Sequence, residues 1–218
     1  MSLEAMAAGA AGGALSNVVL PILSKLVGQS ADIASEALAG KLAVYRLKNQ
    51  VAVLKEVAAY CEAAGINPQQ VNMKVLTPLL ENCALESEPA LQTRWAALLA
   101  NAADPNFKEP VRPDFVKILS EVTANEVRIM DHMYNYLSSV AREQWHRCPF
   151  LVGDLKNALG IPERECELAR ENLLRLRICG MAAAHLGPDA QQYQGIHLTP
   201  YGYTFVTACT WCPISPAK

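Results

Sequence analysis

The 218-residue sequence lacks the surplus of positive charge that is typical of proteins with general affinity for nucleic acids. Its formal net charge is −2, from 19 Lys and Arg against 21 Asp and Glu. Residues 1–110 contain 8 basic and 10 acidic residues, and residues 111–218 contain 11 of each. Because neither half is basic, the composition disfavours bulk nucleic-acid binding.

The sequence also lacks the short motifs of common catalytic sites. It contains no HExxH, GxSxG or GxxxxGK[ST] pattern, so zinc-protease, hydrolase and P-loop functions have no support. The four histidines show no metal-ligand spacing, and the adjacent Asp131 and His132 point apart on a helix. Cys209 and Cys212 form a lone CxxC pair, whereas a zinc site of this type needs a second pair. We therefore expect a non-enzymatic protein with no cofactor, metal ion or catalytic residues.

Export signals are missing as well. Glu4 occupies the region where a secretory signal needs positive charge, and no Lys or Arg precedes the apolar run that follows. The seven cysteines are odd in number and mostly far apart, which is typical of reduced thiols used as small apolar residues. These features predict a cytoplasmic protein, with peripheral attachment to the inner membrane as a possible addition.

An uncharged N-terminal segment followed by a basic helix favours that attachment. Residues 5–24 carry no charge and are long enough to cross a bilayer, but they are mostly Ala and Gly. Between Glu36 and Glu56 there is no acidic residue, and the basic residues of this gap are Lys41, Arg46, Lys48 and Lys55. The three lysines are seven residues apart and share one helix face, which is typical of contact with an anionic membrane or a partner. The alternative is an ordinary solvated helix face after a loosely packed terminus.

Hydrophobic periodicity predicts three helices in the first half of the chain. The first covers residues 41–61 and ends near Gly65. The second begins with Thr77 as N-cap and Pro78 in the first turn, and the third lies within residues 85–105, with Ser87 as N-cap. Trp95 occupies the middle of the third apolar stripe and is expected to be a core residue. Such helices, joined by short turns, predict a small bundle.

The second half predicts a winged-helix-like module. Short helices are expected from Pro113, from a capping box at Thr123, over residues 150–159 and from Pro162. Two short β-like runs then flank a turn at residues 187–189, and a last helix starts at Thr199-Pro200. This order is that of a helix-turn-helix with a small β-ribbon.

The charge of the predicted recognition helix, ERECELARENLLRLR, separates two functions for that module. Its candidate nucleic-acid contacts are Arg164, Arg170 and Arg175, but four glutamates balance them. A helix that enters a DNA groove usually carries a positive surplus, so protein docking is favoured over DNA binding. A DNA-binding regulator and a protein-protein adaptor both stay open as alternatives.

Together these patterns predict a mostly α fold in which an N-terminal helical bundle precedes the winged-helix-like module. The expected parts are an apolar Ala/Gly-rich segment over residues 1–40, a bundle over 41–110, the module over 111–213 and a tail over 214–218. The expected partner is a protein, with a membrane surface as a further candidate. Nucleic acid is disfavoured, and self-association is left open.

Four stretches of the chain resemble the abortive infection alpha family of bacterial proteins. They are YRLKNQVAVLKE, the tryptophan helix in KVLTPLLENCALESEPALQTRWAALLANAADP, DFVKILSEVTANEVRIMD and the closing LTPYGYTFVTAC. The resemblance covers about residues 20–210, and the tryptophan helix is its most specific part. It implies a role in phage defence, in which infected cells stop growing or die before virus is released. It makes a phage component a further candidate for the partner, and it implies no active site.

Overall fold

The computed structural model describes residues 41–141, 144–145, 148–183 and 194–211, with the backbone alone at 41–45, 183 and 194. These ranges contain eight helices and one two-stranded sheet, so the predicted mostly α fold is confirmed. The predicted N-terminal segment 1–40, the turn at 187–189 and the tail 214–218 lie outside the described residues.

The chain forms two compact units. Among the described residues, unit 1 contains 41–120 and 208–211, and unit 2 contains 121–207. Unit 1 is therefore discontinuous in sequence, since the whole of unit 2 is inserted between its two segments. The domain limits at residues 40, 110 and 213 were inferred from motifs and composition. They stay predictions, because the division into compact units does not test them.

Four helices build unit 1: α1 (Lys41–Ala63), α2 (Met73–Cys83), α3 (Pro89–Ala103) and α4 (Pro113–Glu121). Helices α1, α2 and α3 pack against one another. Gly65, two residues after the end of α1, has φ +64°, a left-handed conformation that glycine adopts at low cost. The largest buried side chain of the unit is Trp95, which is 1% exposed, as the sequence predicted.

The starts of α2 and α3 differ from the sequence prediction. Helix α2 begins at Met73 with Asn72 as its N-cap, whose Oδ1 accepts a hydrogen bond from the Lys74 backbone N at 2.9 Å. The predicted cap at Thr77 with Pro78 in the first turn is thus wrong, and Pro78 lies inside the helix. Pro78 cannot donate a backbone hydrogen bond to the preceding turn. Burial of Val75 and Leu76, which precede it, offsets the cost of that missing bond.

Helix α3 begins one residue later than predicted. Its N-cap is Glu88 with Pro89 at the first helical position, so the predicted cap at Ser87 is wrong. The carboxylate of Glu86 accepts hydrogen bonds from the backbone N–H groups of Ser87 and Glu88, both at 2.9 Å. The predicted stop is confirmed, because Asp104 is the C-cap.

Two amide side chains of α1 connect it to the end of α2. Asn49, which is buried, donates from Nδ2 to the Ala84 carbonyl at 3.0 Å, and Gln50 donates from Nε2 to the Leu80 carbonyl at 2.8 Å. The last carbonyls of a helix have no partner within the helix, so they need donors from elsewhere. These bonds set the register between α1 and α2.

Unit 2 contains the helices α5 (Ala124–Leu137), α6 (Val152–Leu159), α7 (Glu163–Arg175) and α8 (Pro200–Ala208). The predicted capping box opens α5: Thr123 Oγ1 accepts from the Glu126 backbone N, and the Glu126 carboxylate accepts from the Thr123 backbone N. Gly160 closes α6 with φ +64°. Helix α7 packs against α5 and α6, so three helices share one core.

The small sheet of unit 2 pairs β1 (Cys179–Ala183) antiparallel with β2 (Gln194–Leu198). Cys179 faces Leu198 in the register, and Met181 faces Ile196. A third chain segment joins at one residue, because Phe150 and Ile196 exchange backbone hydrogen bonds of 2.8 and 3.0 Å. The two predicted β-like runs are therefore strands, and the segment before α6 pairs with the second of them.

Candidate functional site

The basic face predicted on α1 is partly visible. Lys48 and Lys55 are exposed and seven residues apart, so they share a face of the helix. Lys41 has the same spacing along the helix backbone, but its side chain lies outside the described residues. Arg46 is exposed and points about 160° away from Lys48 around the helix axis, at about 100° per residue. The structure therefore gives a lysine face, defined by Lys48 and Lys55, to which Arg46 does not belong.

No helix within the described ranges combines the length and apolar character that a bilayer crossing needs. The candidate spanning segment at residues 5–24 falls outside those ranges.

Helix α7 holds the three candidate nucleic-acid contacts, and two of them pair with their own chain. The Arg170 guanidinium forms an ion pair with Glu171 at 2.6 Å, and Arg175 pairs with Glu121 at 2.7 Å. Arg175 also donates two hydrogen bonds to Asn172 Oδ1, at 3.1 and 2.6 Å. Arg164 is exposed. The positive charge of α7 is thus largely compensated within unit 2.

The exposed face of α7 is acidic and carries one large apolar side chain. Leu168 is 63% exposed, the highest exposure among the large apolar side chains of the described residues. Its charged neighbours one turn away are Arg164, Glu165 and Glu171, and Glu167 precedes it in sequence. All four are exposed. We call this set, Arg164, Glu165, Glu167, Leu168 and Glu171, the Leu168 surface.

A further glutamate of α7 pairs with the preceding helix. Lys156 Nζ lies 2.8 Å from Glu163 Oε2, and this contact lowers the pKa of Glu163 and raises the pKa of Lys156. Both groups are solvent-exposed, and exposed pairs contribute little to stability. Lys156 therefore compensates Glu163, whereas Glu171 of the Leu168 surface pairs with Arg170.

A second polar cluster lies in unit 1, where the chain returns after α8. We call residues Cys209–Trp211 the strap. Asn101 Nδ2 donates to the carbonyls of Ala208 and Thr210 at 2.8 and 3.1 Å. Arg94 Nη1 donates to the Cys209 carbonyl at 3.1 Å and to Thr210 Oγ1 at 2.6 Å. Two side chains of α3 therefore hold the end of the described chain.

The strap ends in an aromatic stack. The Trp211 ring lies 4.9 Å from the Tyr60 ring of α1, with planes 9° apart. The Tyr60 hydroxyl donates to Glu56 at 2.5 Å, and burial together with this bond raises the pKa of Tyr60 above its usual value. Sequence reasoning did not find this cluster. Asn101 was the available signal, because it is an amide within the otherwise apolar run from Trp95 to Ala103.

Burial suppresses the ionisation of two cysteine thiols. Burial raises the pKa of Cys83 and of Cys179 to about 12, so both stay protonated at neutral pH. Cys209 of the CxxC pair is buried, and Cys212 lies outside the described residues. Within the described ranges, no three His, Cys, Asp or Glu side chains are grouped so that they could hold a metal ion.

Comparison with known proteins gives one match. The sequence model of the family described as abortive infection alpha matches residues 45–209. No curated protein and no solved structure matches the chain. The matched range includes the tryptophan helix α3, the capping box of α5 and the whole of unit 2. The chain therefore belongs to the abortive infection alpha family.

Proposed function

We propose that this protein is a non-enzymatic antiphage protein that acts by abortive infection and binds a protein partner or phage component through unit 2. Family membership supports the biological setting. The Leu168 surface is the observation that carries the docking role, because it presents an apolar anchor among exposed charges.

We further propose that unit 2 is a winged-helix-like module. The order α5, α6, α7, β1, β2, α8 supports this, with α7 in the place of the recognition helix. The bridge between Phe150 and Ile196 adds a third segment to the ribbon, on the chain between α5 and α6. A fold of this type serves both DNA and protein recognition, so the fold alone does not distinguish the two functions. The exposed side chains of α7 provide the distinction.

That chemistry favours a protein partner over DNA. A helix in a DNA groove faces dense phosphate charge, and the exposed glutamates of α7 would be repelled by it. Arg170 and Arg175 already pair with carboxylates of unit 2, so freeing them for phosphate costs those bonds. A protein surface, in contrast, gains by covering Leu168. A DNA-binding regulator would show binding that falls steeply with added salt.

Replacing Leu168 with serine is expected to abolish most of the protection against phage. Burial of a leucine in an interface contributes about 1.5–3 kcal/mol, which corresponds to a loss of affinity of about 10- to 150-fold. Cells that express the wild type or the variant from the native promoter are challenged with a phage panel, and plating efficiency is counted. We expect the variant to restore plating at least tenfold for any phage that the wild type restricts.

The matched control is Leu85→Ser. Leu85 is also an exposed leucine, at 58%, but it lies in unit 1 between α2 and α3. We expect this variant to protect as the wild type does, with both proteins at equal abundance. Equal protection by Leu168→Ser and Leu85→Ser would contradict the docking role. Absence of protection by the wild type across the panel would contradict the antiphage function.

We also propose that residues 1–60 act at the inner membrane, with the protein otherwise in the cytoplasm. The exposed Lys48 and Lys55 support this, because each basic side chain near an anionic membrane contributes about 1 kcal/mol to binding. The uncharged segment at residues 5–24 precedes them in sequence. A purely cytoplasmic adaptor is the alternative.

The double variant Lys48→Glu/Lys55→Glu is expected to reduce binding to anionic vesicles more than about 30-fold, because it removes two attractions of about 1 kcal/mol each and adds repulsion. Flotation with phosphatidylglycerol vesicles, at low and at high salt, measures the bound fraction. The control Lys74→Glu/Lys117→Glu makes the same charge change at exposed lysines of α2 and α4. Wild-type protein that does not float with these vesicles would contradict the membrane proposal.

A further inference from the structure

The structure points to a conformational device at the end of the described chain, independent of which partner unit 2 binds. We propose that the strap, Cys209–Trp211, opens and closes as a local unit while the helices of unit 1 stay folded. Opening frees the carbonyls that α3 holds and exposes Trp211. It also releases from α3 the segment by which the chain returns from unit 2 to unit 1.

Hydrogen bonds from two polar side chains of α3 contribute to closing the strap. Helix α8 ends at Ala208, and its last carbonyls have no partner within the helix. Asn101 donates from Nδ2 to the carbonyls of Ala208 and Thr210, at 2.8 and 3.1 Å. Arg94 donates to the Cys209 carbonyl between them. Three successive carbonyls therefore accept hydrogen bonds from two side chains of one helix.

The burial of these groups changes along the strap. Cys209 is 3% exposed, whereas Thr210, Trp211, Arg94 and Tyr60 are all half-buried. Water therefore reaches the side chains that hold the outer part of the strap. When the strap opens, water can replace the hydrogen bonds that these side chains lose. The core of unit 1 does not depend on this exchange, since Trp95, Leu98 and Leu99 are at most 1% exposed and belong to α3 itself. Hydrogen bonds that solvent can reach are typical of regions that open locally.

The stack between Trp211 and Tyr60 adds an aromatic contact and supplies a spectroscopic reporter. The rings are 4.9 Å apart and nearly parallel, so the tryptophan senses the tyrosine ring current. The chain has only three tryptophans, Trp95, Trp145 and Trp211. Trp95 lies in the core of unit 1 and Trp145 is buried in unit 2, so each reports on a different part of the chain.

The test labels the full-length protein with 5-fluorotryptophan and records its three fluorine resonances, with Trp211→Phe to assign the strap signal. Solvent exposure is read from the shift of each resonance between H₂O and D₂O, and saturation transfer measures the population of an open state. In the variant Arg94→Ala we expect the population of the open state to rise at least tenfold, with Trp211 exposed to solvent in that state and Trp95 unchanged. The control Arg112→Ala removes an exposed arginine of unit 1 that pairs with Asp114, and it should leave all three resonances in place.

Two outcomes would overturn the proposal. In the first, Trp211 stays protected in Arg94→Ala, so the arginine does not hold the strap. In the second, Trp211 and Trp95 become exposed together, so the strap is part of one cooperative core. The variant Asn101→Ala repeats the test through the other side chain, and Tyr60→Phe, which keeps the stack, should keep the strap closed.

Discussion

Replacing Trp95 with alanine is expected to lower the free energy of unfolding of unit 1 by about 3–5 kcal/mol, the range for aromatic-to-alanine changes in protein cores. The indole is the largest fully buried side chain of the described residues, at 1% exposure, and α3 packs against both α1 and α2. Its removal leaves a cavity in the middle of the bundle. Chemical denaturation of the purified protein, followed by circular dichroism, measures the change.

Two further variants separate packing from other effects of Trp95. Trp95→Phe keeps most of the apolar volume, and it removes an indole N–H for which the described part of the chain offers no hydrogen-bond acceptor. We therefore expect a much smaller loss than for alanine. Leu85→Ala, at a residue 58% exposed, is expected to change stability by less than about 0.5 kcal/mol. A loss for Trp95→Ala no larger than that for Leu85→Ala would contradict the core position of the indole.

Replacing Gly202 with alanine is expected to destabilise unit 2 by about 3 kcal/mol or more, at or above the upper end of the usual cost of overpacking. A Cβ atom at this glycine would lie 2.1 Å from the Ile178 carbonyl oxygen and 2.9 Å from its carbon. That oxygen accepts hydrogen bonds from the backbone N and the Oγ1 of Thr199, both at 3.0 Å. Because those bonds hold the carbonyl in place, the clash cannot be relieved by a side-chain movement.

The control for Gly202 is Gly153→Ala in helix α6. An added Cβ there meets nothing within 4 Å, and alanine is the better helix former by about 0.5–1 kcal/mol. We therefore expect opposite signs: a loss for Gly202→Ala and a small gain for Gly153→Ala. Denaturation curves that follow the fluorescence of Trp145 in unit 2 measure both. Equal melting of the two variants would show that α8 does not approach the Ile178 carbonyl closely.

Local signals in the sequence predicted much of the secondary structure. The capping box at Thr123, the stop at Asp104 and the glycine after α6 each act through neighbouring residues, so a short window contains the whole signal. The core position of Trp95 was also correct, and the two predicted β-like runs overlap the two strands. These features follow from periodicity and turn chemistry alone.

Long-range packing explains the errors. Pro78 has the sequence context of a first turn, yet burial of the residues before it extends α2 back to Met73. The strap joins residues more than 100 positions apart, since Asn101 binds Thr210, and no short window records such a contact. The charge balance of α7 was visible in the sequence. The pairing of Arg175 with Glu121 was not, because it depends on how α7 packs in unit 2.

The insertion of unit 2 within unit 1 sets an order of events on the ribosome. A chain is made from its amino end, so α1 to α4 emerge before unit 2, and residues 208–211 emerge after it. Asn101 and Arg94 therefore meet their carbonyl partners only after all of unit 2 has been made. During that interval, α1 to α4 are complete while unit 1 still lacks residues 208–211. Newly made protein therefore passes through a stage in which the helices of unit 1 can pack before the segment that completes the unit has been made.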